Sequence, residues 1–311
     1  MRLAPHPVTL RQLQYVVAVA EHHSFRRAAE ACRVSQPSLS AQIAQIEEAL
    51  GVQLFERDRR RVTVTTAGKA VLARARQMCV AADELVDAAS RLGDPFAGVL
   101  RIGVIPTIGP YLLPEIAPVL RGRYPKLTVV WSEDKTGTLV EQLARAEIDG
   151  ALVALVAEVA ELPHVVLGTD PFLFAAAPGH ALSKSKKPLH AEDLSGERVL
   201  LLDDGHCFRE QALTYCSRAG ATEGEFRATS LATLVQMAAG GAGVTLLPSI
   251  AVGVENRRHE LCLRPFSARA PARKIALVWR KQSAAAVALQ PIGETLRSAY
   301  ARIDAKKRPA V

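Results

Sequence analysis

Residues 24–51 read SFRRAAEACRVSQPSLSAQIAQIEEALG, and the fold of the first part of the chain turns on them. Ser24 precedes the short run from Phe25 to Cys32, where its hydroxyl suits the N-cap of a helix. Upstream, Leu10, Leu13, Val16, Val17 and Ala20 recur at helical spacing. Val34-Ser35-Gln36-Pro37-Ser38 is a turn into a third helix. Ser35 can cap it, and Pro37 fits its first turn, where a missing N–H leaves no hydrogen bond unmade. Leu39, Ile43, Ile46 and Leu50 share one face of that helix, and Gly51 stops it. Two helices joined by a short turn, the second capped and polar on its outer face, predict a helix-turn-helix.

Downstream, the stretch from Leu54 to Thr65 places an Arg-rich tip between two β-prone pieces, the pattern of a wing. Arg57, Arg59, Arg60 and Arg61 are expected to contact phosphate and raise salt dependence rather than choose sequence. On the exposed early part of the third helix, Gln36, Pro37, Ser38 and Gln42 are the candidates to read base edges of double-stranded DNA in the major groove. Position 41 is Ala, so base reading rests on few side chains.

Composition sets the outer bounds. A chain of 311 residues, 49% hydrophobic and 23% charged, is globular and long enough for two or three domains. The net charge of +8 points only weakly to a polyanion. Residues 1–66 hold nine Arg against six acids, so the clustering from Arg57 to Arg61 points to DNA more than the total does. Five Cys, an odd number, do not make a disulfide-stapled secreted scaffold. The run from Tyr15 to Ala20 is too short for a signal-peptide core, and no stretch is long enough to span a membrane. The expectation is a cytoplasmic protein with no membrane contact, no cofactor and no metal.

Residues 69–94 read as one helix. Val71, Ala75, Met78, Ala82, Leu85, Ala89 and Leu92 follow alternating steps of four and three, a heptad seam. One narrow, Ala-rich seam predicts a linker that pairs with a second copy, against the alternative of a helix packed on its own domain. From residue 97 onward, strand-like runs alternate with amphipathic helices, which predicts α/β lobes with parallel sheets and a cleft at the strand C-termini. A late strand, Lys274 to Trp279, is placed to return to the first half.

The motifs Ser24-Phe25, Ala28-Ala29, Ser35-Gln36-Pro37-Ser38-Leu39-Ser40, Gln42-Ile43, Leu50-Gly51, Leu54-Phe55-Glu56-Arg57 and Thr65-Thr66-Ala67-Gly68 together resemble the LysR-type transcriptional regulators. The resemblance implies a winged helix-turn-helix (residues 1–68), a dimerising linker helix (69–94) and a two-lobed α/β regulatory domain of periplasmic-binding-protein type (97–311). Lobe I would take about 97–168 and 270–311, and lobe II about 169–269. It further implies homodimers or homotetramers on promoter DNA and RNA polymerase as a partner.

A second stretch, Asp204-Gly205-His206-Cys207-Phe208-Arg209-Glu210-Gln211-Ala212-Leu213 with Cys216, is similar to the redox loop of the hydrogen-peroxide sensors of that family. By this resemblance Cys207 is the peroxidatic thiol and Cys216 the resolving one. Thr107, Thr136, His206, Arg209 and Arg273 are then expected around the peroxide. Glu210 stands where the resemblance would place an Asp. The residue types suit the chemistry. A thiolate attacks peroxide, and a helix N-terminus with nearby cations favours the thiolate. The predicted helix runs from Arg209 to Ala219, with Cys207 just before it. Across an intact helix nine residues span roughly 13 Å, whereas a disulfide needs Cα atoms within about 7 Å. The bond therefore requires the segment to unwind or move.

Other readings fit the same residues. Two Cys in an α/β domain are commonly small apolar fillers, as Cys32, Cys79 and Cys262 are expected to be. A zinc site on His206, Cys207 and Cys216 lacks the paired CxxC spacing. A LysR-type regulator answering to a small metabolite in the cleft would need no redox chemistry. A thiol peroxidase would turn over peroxide catalytically and leaves residues 9–92 without a purpose.

Overall fold

Side-chain caps start the first three helices: α1 (Leu10–His22), α2 (Phe25–Ala31) and α3 (Gln36–Leu50). Thr9 and Gln12 form a reciprocal box in which Thr9 Oγ1 accepts from the Gln12 N–H and the Gln12 side chain accepts from the Thr9 N–H. Ser24 Oγ accepts from the Arg27 N–H, and Ser35 Oγ from the Ser38 N–H at 3.3 Å. Gly51 closes α3 in the left-handed conformation, with φ of +68°. Leu39, Ile43 and Ile46 pack with Val16, Val19 and Ala28 into one core. Leu50 departs from expectation at 39% exposure, because Leu54 and Phe55 close the core at that end instead. Cys32 is the C-cap of α2 and half-buried, rather than a residue of its interior.

The wing is a short antiparallel hairpin, β1 (Phe55–Arg57) with β2 (Val62–Val64). Glu47 of α3 pins its base by accepting from the backbone N–H groups of Leu54, at 2.7 Å, and Phe55. Helix α4 (Thr66–Arg91) follows directly. Gly68 is required there, since a Cβ would lie 2.2 Å from the carbonyl oxygen of Leu54.

In this computed structural model the described residues are 6–57, 62–91, 93–267 and 270–307. Arg59, Arg60, Arg61 and Leu92 lie outside them, as does the side chain of Arg57. The chain divides into two compact units, Met1–Ser90 and Arg91–Val311. The seam of α4 divides as well. Ala75 is buried and Val71 half-buried against the helix-turn-helix core. Cys79, next to the seam, packs on the same core. Further on, Met78 is 52% and Leu85 72% exposed, while Ala82 between them is half-buried. Packing on its own domain thus accounts for the first two turns, and Met78 and Leu85 are the large apolar residues of the stripe left exposed among the described residues.

The second unit runs β3 (Gly98–Val104), α5 (Gly109–Arg123), β4 (Leu127–Glu133), α6 (Thr136–Ala144), β5 (Gly150–Ala154), α7 (Ala157–Ala160) and β6 (His164–Ala176). It continues β7 (Arg198–Leu202), α8 (Cys207–Arg218), β8 (Thr222–Ala228), α9 (Leu231–Ala239), β9 (Thr245–Pro248), α10 (Val252–Glu255), β10 (Cys262–Arg264), β11 (Ala272–Trp279) and α11 (Ala286–Lys307). Strand β3 pairs in parallel with β4 and β5, and β7 pairs in parallel with β8. The parallel pairing expected from the strand–helix alternation forms here, but the larger sheet is mixed. Strand β11 returns antiparallel between β5 and β6, while β9 and β10 run antiparallel to β6. The cause is the length of β6. Its first half pairs with β11 and its second half, from Phe172, with β9 and β10, so one continuous strand passes through both halves of the unit. Among the described residues no helix is long and apolar enough to cross a membrane.

Candidate redox site

The site begins where β7 ends. Gly205, with φ of +84°, turns the chain from the strand into α8. A side chain there would also press on Lys135, whose Cδ would lie 3.1 Å from a Cβ. His206 is the N-cap and Cys207 the first helical residue. The expected helix from Arg209 is therefore two residues longer at its start, and Cys207 lies inside the first turn. Cys216 occupies the tenth position of the same helix, and both thiols are buried and free.

Burial pushes the Cys216 thiol up to about 12, so it stays protonated in the folded reduced protein. Burial, and then the positive charge of Lys135, hold the His206 imidazole below its usual value. A neutral imidazole can accept a proton as well as donate one.

A second buried group centres on Arg273. This arginine is buried on β11 and donates from Nη1 to Thr107 Oγ1 at 2.7 Å and from Nη2 to the Thr107 carbonyl at 2.8 Å. Its Nε pairs with Asp170 Oδ2 at 2.9 Å, both side chains fully buried. Asp170 in turn accepts from the backbone N–H of Ile250. Burial pushes the Asp170 carboxyl up, and Arg273 pulls against it. The Arg273 guanidinium carbon sits 6.0 Å from the centre of the Phe208 ring, the residue after Cys207. Thr107, having accepted from Arg273, keeps its own proton to give. Thr136 opens α6, next to Lys135, and its hydroxyl is buried with no hydrogen-bond partner among the described residues. Such a group calls for a small polar guest.

One residue expected around the peroxide faces elsewhere. Arg209 is buried, but its donors are committed to Asp204, Glu223 and the Leu202 carbonyl. It secures the loop rather than offering its charge to the thiol. Glu210 is exposed and lines an open groove of about 400 Å³ with Gln211, Thr214, Tyr215 and Arg218. Cys207 does not line that groove. Sequence reasoning missed Asp170 and Lys135. A lone carboxylate in the apolar run of β6 was the available signal for Asp170. Among the described residues no three or more His, Cys, Asp or Glu side chains group so as to hold a metal ion.

In the first unit, Gln36, Pro37 and Ser38 are exposed on the first turn of α3, and Gln42 is half-buried one turn further on. Gln36 Nε2 donates to Ser40 Oγ and Gln42 Nε2 to Gln45 Oε1, contacts that hold both amides against the helix surface.

A capped helix-turn-helix with a wing, followed by a two-part α/β domain, defines a class of DNA-binding regulator. Residues 10–69 match the bacterial regulatory helix-turn-helix of the lysR family, and residues 93–301 match the LysR substrate binding domain. The chain belongs to the LysR family of transcriptional regulators. Within it, the chain is 45% identical over 277 residues to the hydrogen peroxide-inducible genes activator of Dickeya chrysanthemi, covering 89% of this chain and 90% of that protein. It is also similar to the structure of a full-length OxyR cysteine variant from Pseudomonas aeruginosa, with a TM-score of 0.75, 33% identity and coverage of 94% and 96% of the two chains. The crystal structure of the oxidized form of OxyR matches at a TM-score of 0.61 and 40% identity, covering 66% of this chain and 97% of that one.

Proposed function

We propose that this regulator senses hydrogen peroxide by oxidation of Cys207 and a disulfide to Cys216, and that the change in the regulatory domain alters its grip on promoter DNA. The observation that carries this reading is the placement of both thiols on one helix, Cys207 in its first turn and Cys216 buried nine residues on. The kinship with a peroxide-inducible activator and with an oxidized OxyR supports it.

Peroxide enters beside Cys207, with the hydroxyls of Thr107 and Thr136 and the ring of His206 as its polar surround. The Cys207 thiolate attacks one oxygen. Thr107, oriented by Arg273, donates to the departing oxygen, and a sulfenic acid remains on Cys207. Nine residues of intact helix hold the two Cα atoms roughly 13 Å apart. A disulfide tolerates about 7 Å, so bond formation unwinds α8. A local covalent event thereby becomes a rearrangement of the lobe surface.

Residues Gln36, Pro37, Ser38 and Gln42 read bases, and the wing arginines hold phosphate. The exposed half of the α4 stripe, with Met78 and Leu85, pairs with a second copy, and the working assembly is a dimer or tetramer that engages RNA polymerase. The protein acts in the cytoplasm and consumes peroxide stoichiometrically, not as an enzyme.

Thiol mass spectrometry after peroxide tests the reading. A Cys207–Cys216 bond is expected in the unaltered chain, and an oxidised Cys207 without that bond in Cys216→Ser. Peroxide-dependent DNA binding retained in full by Cys207→Ser would overturn it.

A further inference from the structure

Behind the thiol pocket, the first turn of α8 is held by a closed ring of charged side chains. Arg209 sends Nε to Asp204 Oδ1 at 2.9 Å and Nη2 to Glu223 Oε1 at 2.9 Å. Its Nη1 donates to the Leu202 carbonyl at 3.2 Å. Arg227 closes the ring, with Nε 3.0 Å from Glu223 Oε1 and Nη1 3.2 Å from Asp204 Oδ2. The Asp204 carbonyl also accepts from Lys135 Nζ at 2.7 Å. Two arginines and two carboxylates thus join the redox loop, the helix and strand β8, and Lys135 adds a tether to the start of α6.

Arg209 lies two residues past Cys207, inside the segment that must unwind to bring the two sulfurs together. When that segment opens, Arg209 is drawn away from Asp204, Glu223 and Leu202 at once. The ring therefore holds the first turn of the intact helix in place.

We propose that the Arg209–Asp204–Arg227–Glu223 ring sets the peroxide threshold of the switch by restraining the step from sulfenic acid to disulfide. The proposal rests on the redox reading above. In the first step the Cys207 thiolate bonds to one peroxide oxygen, the O–O bond breaks, and the departing hydroxide takes a proton to leave as water. The helix stays intact, so the ring does not act. In the second step Cys216 gives up its proton and its sulfur bonds to the Cys207 sulfur. The S–O bond breaks, and the hydroxyl leaves as water with that proton. Overall two thiols lose two electrons and one peroxide becomes two waters. Only this second step needs the helix open. A stabilised reduced form also makes a disulfide easier to reduce, so the ring shifts the equilibrium toward the dithiol.

Glu223 and Arg227 take no part in the thiol pocket, which makes them the positions to vary. The full-length protein is equilibrated in glutathione buffers of set ratio, and the disulfide fraction is read by thiol alkylation. For Arg227→Ala the disulfide-to-dithiol ratio is expected to rise about three- to tenfold, the scale of a networked, partly exposed ion pair. Glu223→Gln is expected to do at least as much, and adding Arg227→Ala to it should change little further. Arg227→Lys should fall between the unaltered chain and Arg227→Ala, and it keeps the test available if the alanine variant does not fold. In a Cys216→Ser background the rate of sulfenic acid formation should be the same with or without Arg227→Ala, while disulfide closure in the intact pair speeds up. A Cys207–Cys216 bond forming in Arg227→Ala with the unaltered ratio and rate would overturn the proposal, as would an equal slowing of both steps. Absence of that bond even in the unaltered chain would instead refute the redox reading itself.

Discussion

Helices α3 and α8 are of similar length and are held in opposite ways. Helix α3 is built by its own sequence: Ser35 caps it, Pro37 sits in its first turn, and Gly51 ends it. Helix α8 is preceded by His206 at its N-cap, which makes no side-chain capping bond. Its restraint comes from distant partners instead, with Arg209 reaching Glu223 and Lys135 reaching the Asp204 carbonyl. A helix secured locally keeps its shape whatever happens elsewhere. One secured by tertiary charge pairs is released when a single displacement breaks several of them. The first property suits a surface that must fit a DNA groove, and the second suits a switch.

The contrast yields expectations of decreasing size. The largest concerns the buried pair beside the switch. Asp170→Ala leaves Arg273 charged and unpaired in the core, at a cost of about 3–5 kcal/mol. Thermal unfolding should show the loss in the regulatory unit alone, with the DNA-binding unit unmoved. A smaller effect is expected on the other side. Ser35→Ala removes one cap and should cost the first unit about 1 kcal/mol, leaving peroxide oxidation of the second unit unchanged. An equal response of both units to either substitution would break the separation.

The smallest effect vanishes at neutral pH. The Cys216 thiol is raised from 9.0 to about 12 in the fold. Below pH 9 both folded and unfolded forms hold the proton, so the contribution is constant. Between pH 9 and pH 12 the unfolded chain gives up its proton first, and stability should fall with rising pH. Cys216→Ala should flatten that slope in a pH series of denaturation midpoints. In the unaltered reduced protein, alkylation of Cys216 should be much slower than that of Cys207.

The same contrast explains what the sequence made legible. Caps, turn residues and apolar spacing are local signals, so the helix-turn-helix, the hairpin and the linker helix can be read directly from residues 9–91. The partners of Arg209 and Arg273 cannot. Glu223 lies fourteen residues from Arg209 and Asp170 over a hundred from Arg273, and no spacing rule links them. Arg209 neighbours Cys207 in the chain, which suggests a place beside the peroxide, yet in the fold its side chain turns to Asp204 and β8. The mixed sheet is hidden for a related reason: strand polarity depends on which partners the long β6 meets, and those come from far downstream.

Hydrogen exchange on the reduced and peroxide-treated protein tests the central claim most directly. Amides of residues 207–218 should lose protection once the Cys207–Cys216 bond has formed, while those of residues 36–50 keep theirs. Unchanged protection across residues 207–218, in protein shown by mass spectrometry to carry that disulfide, would contradict the account.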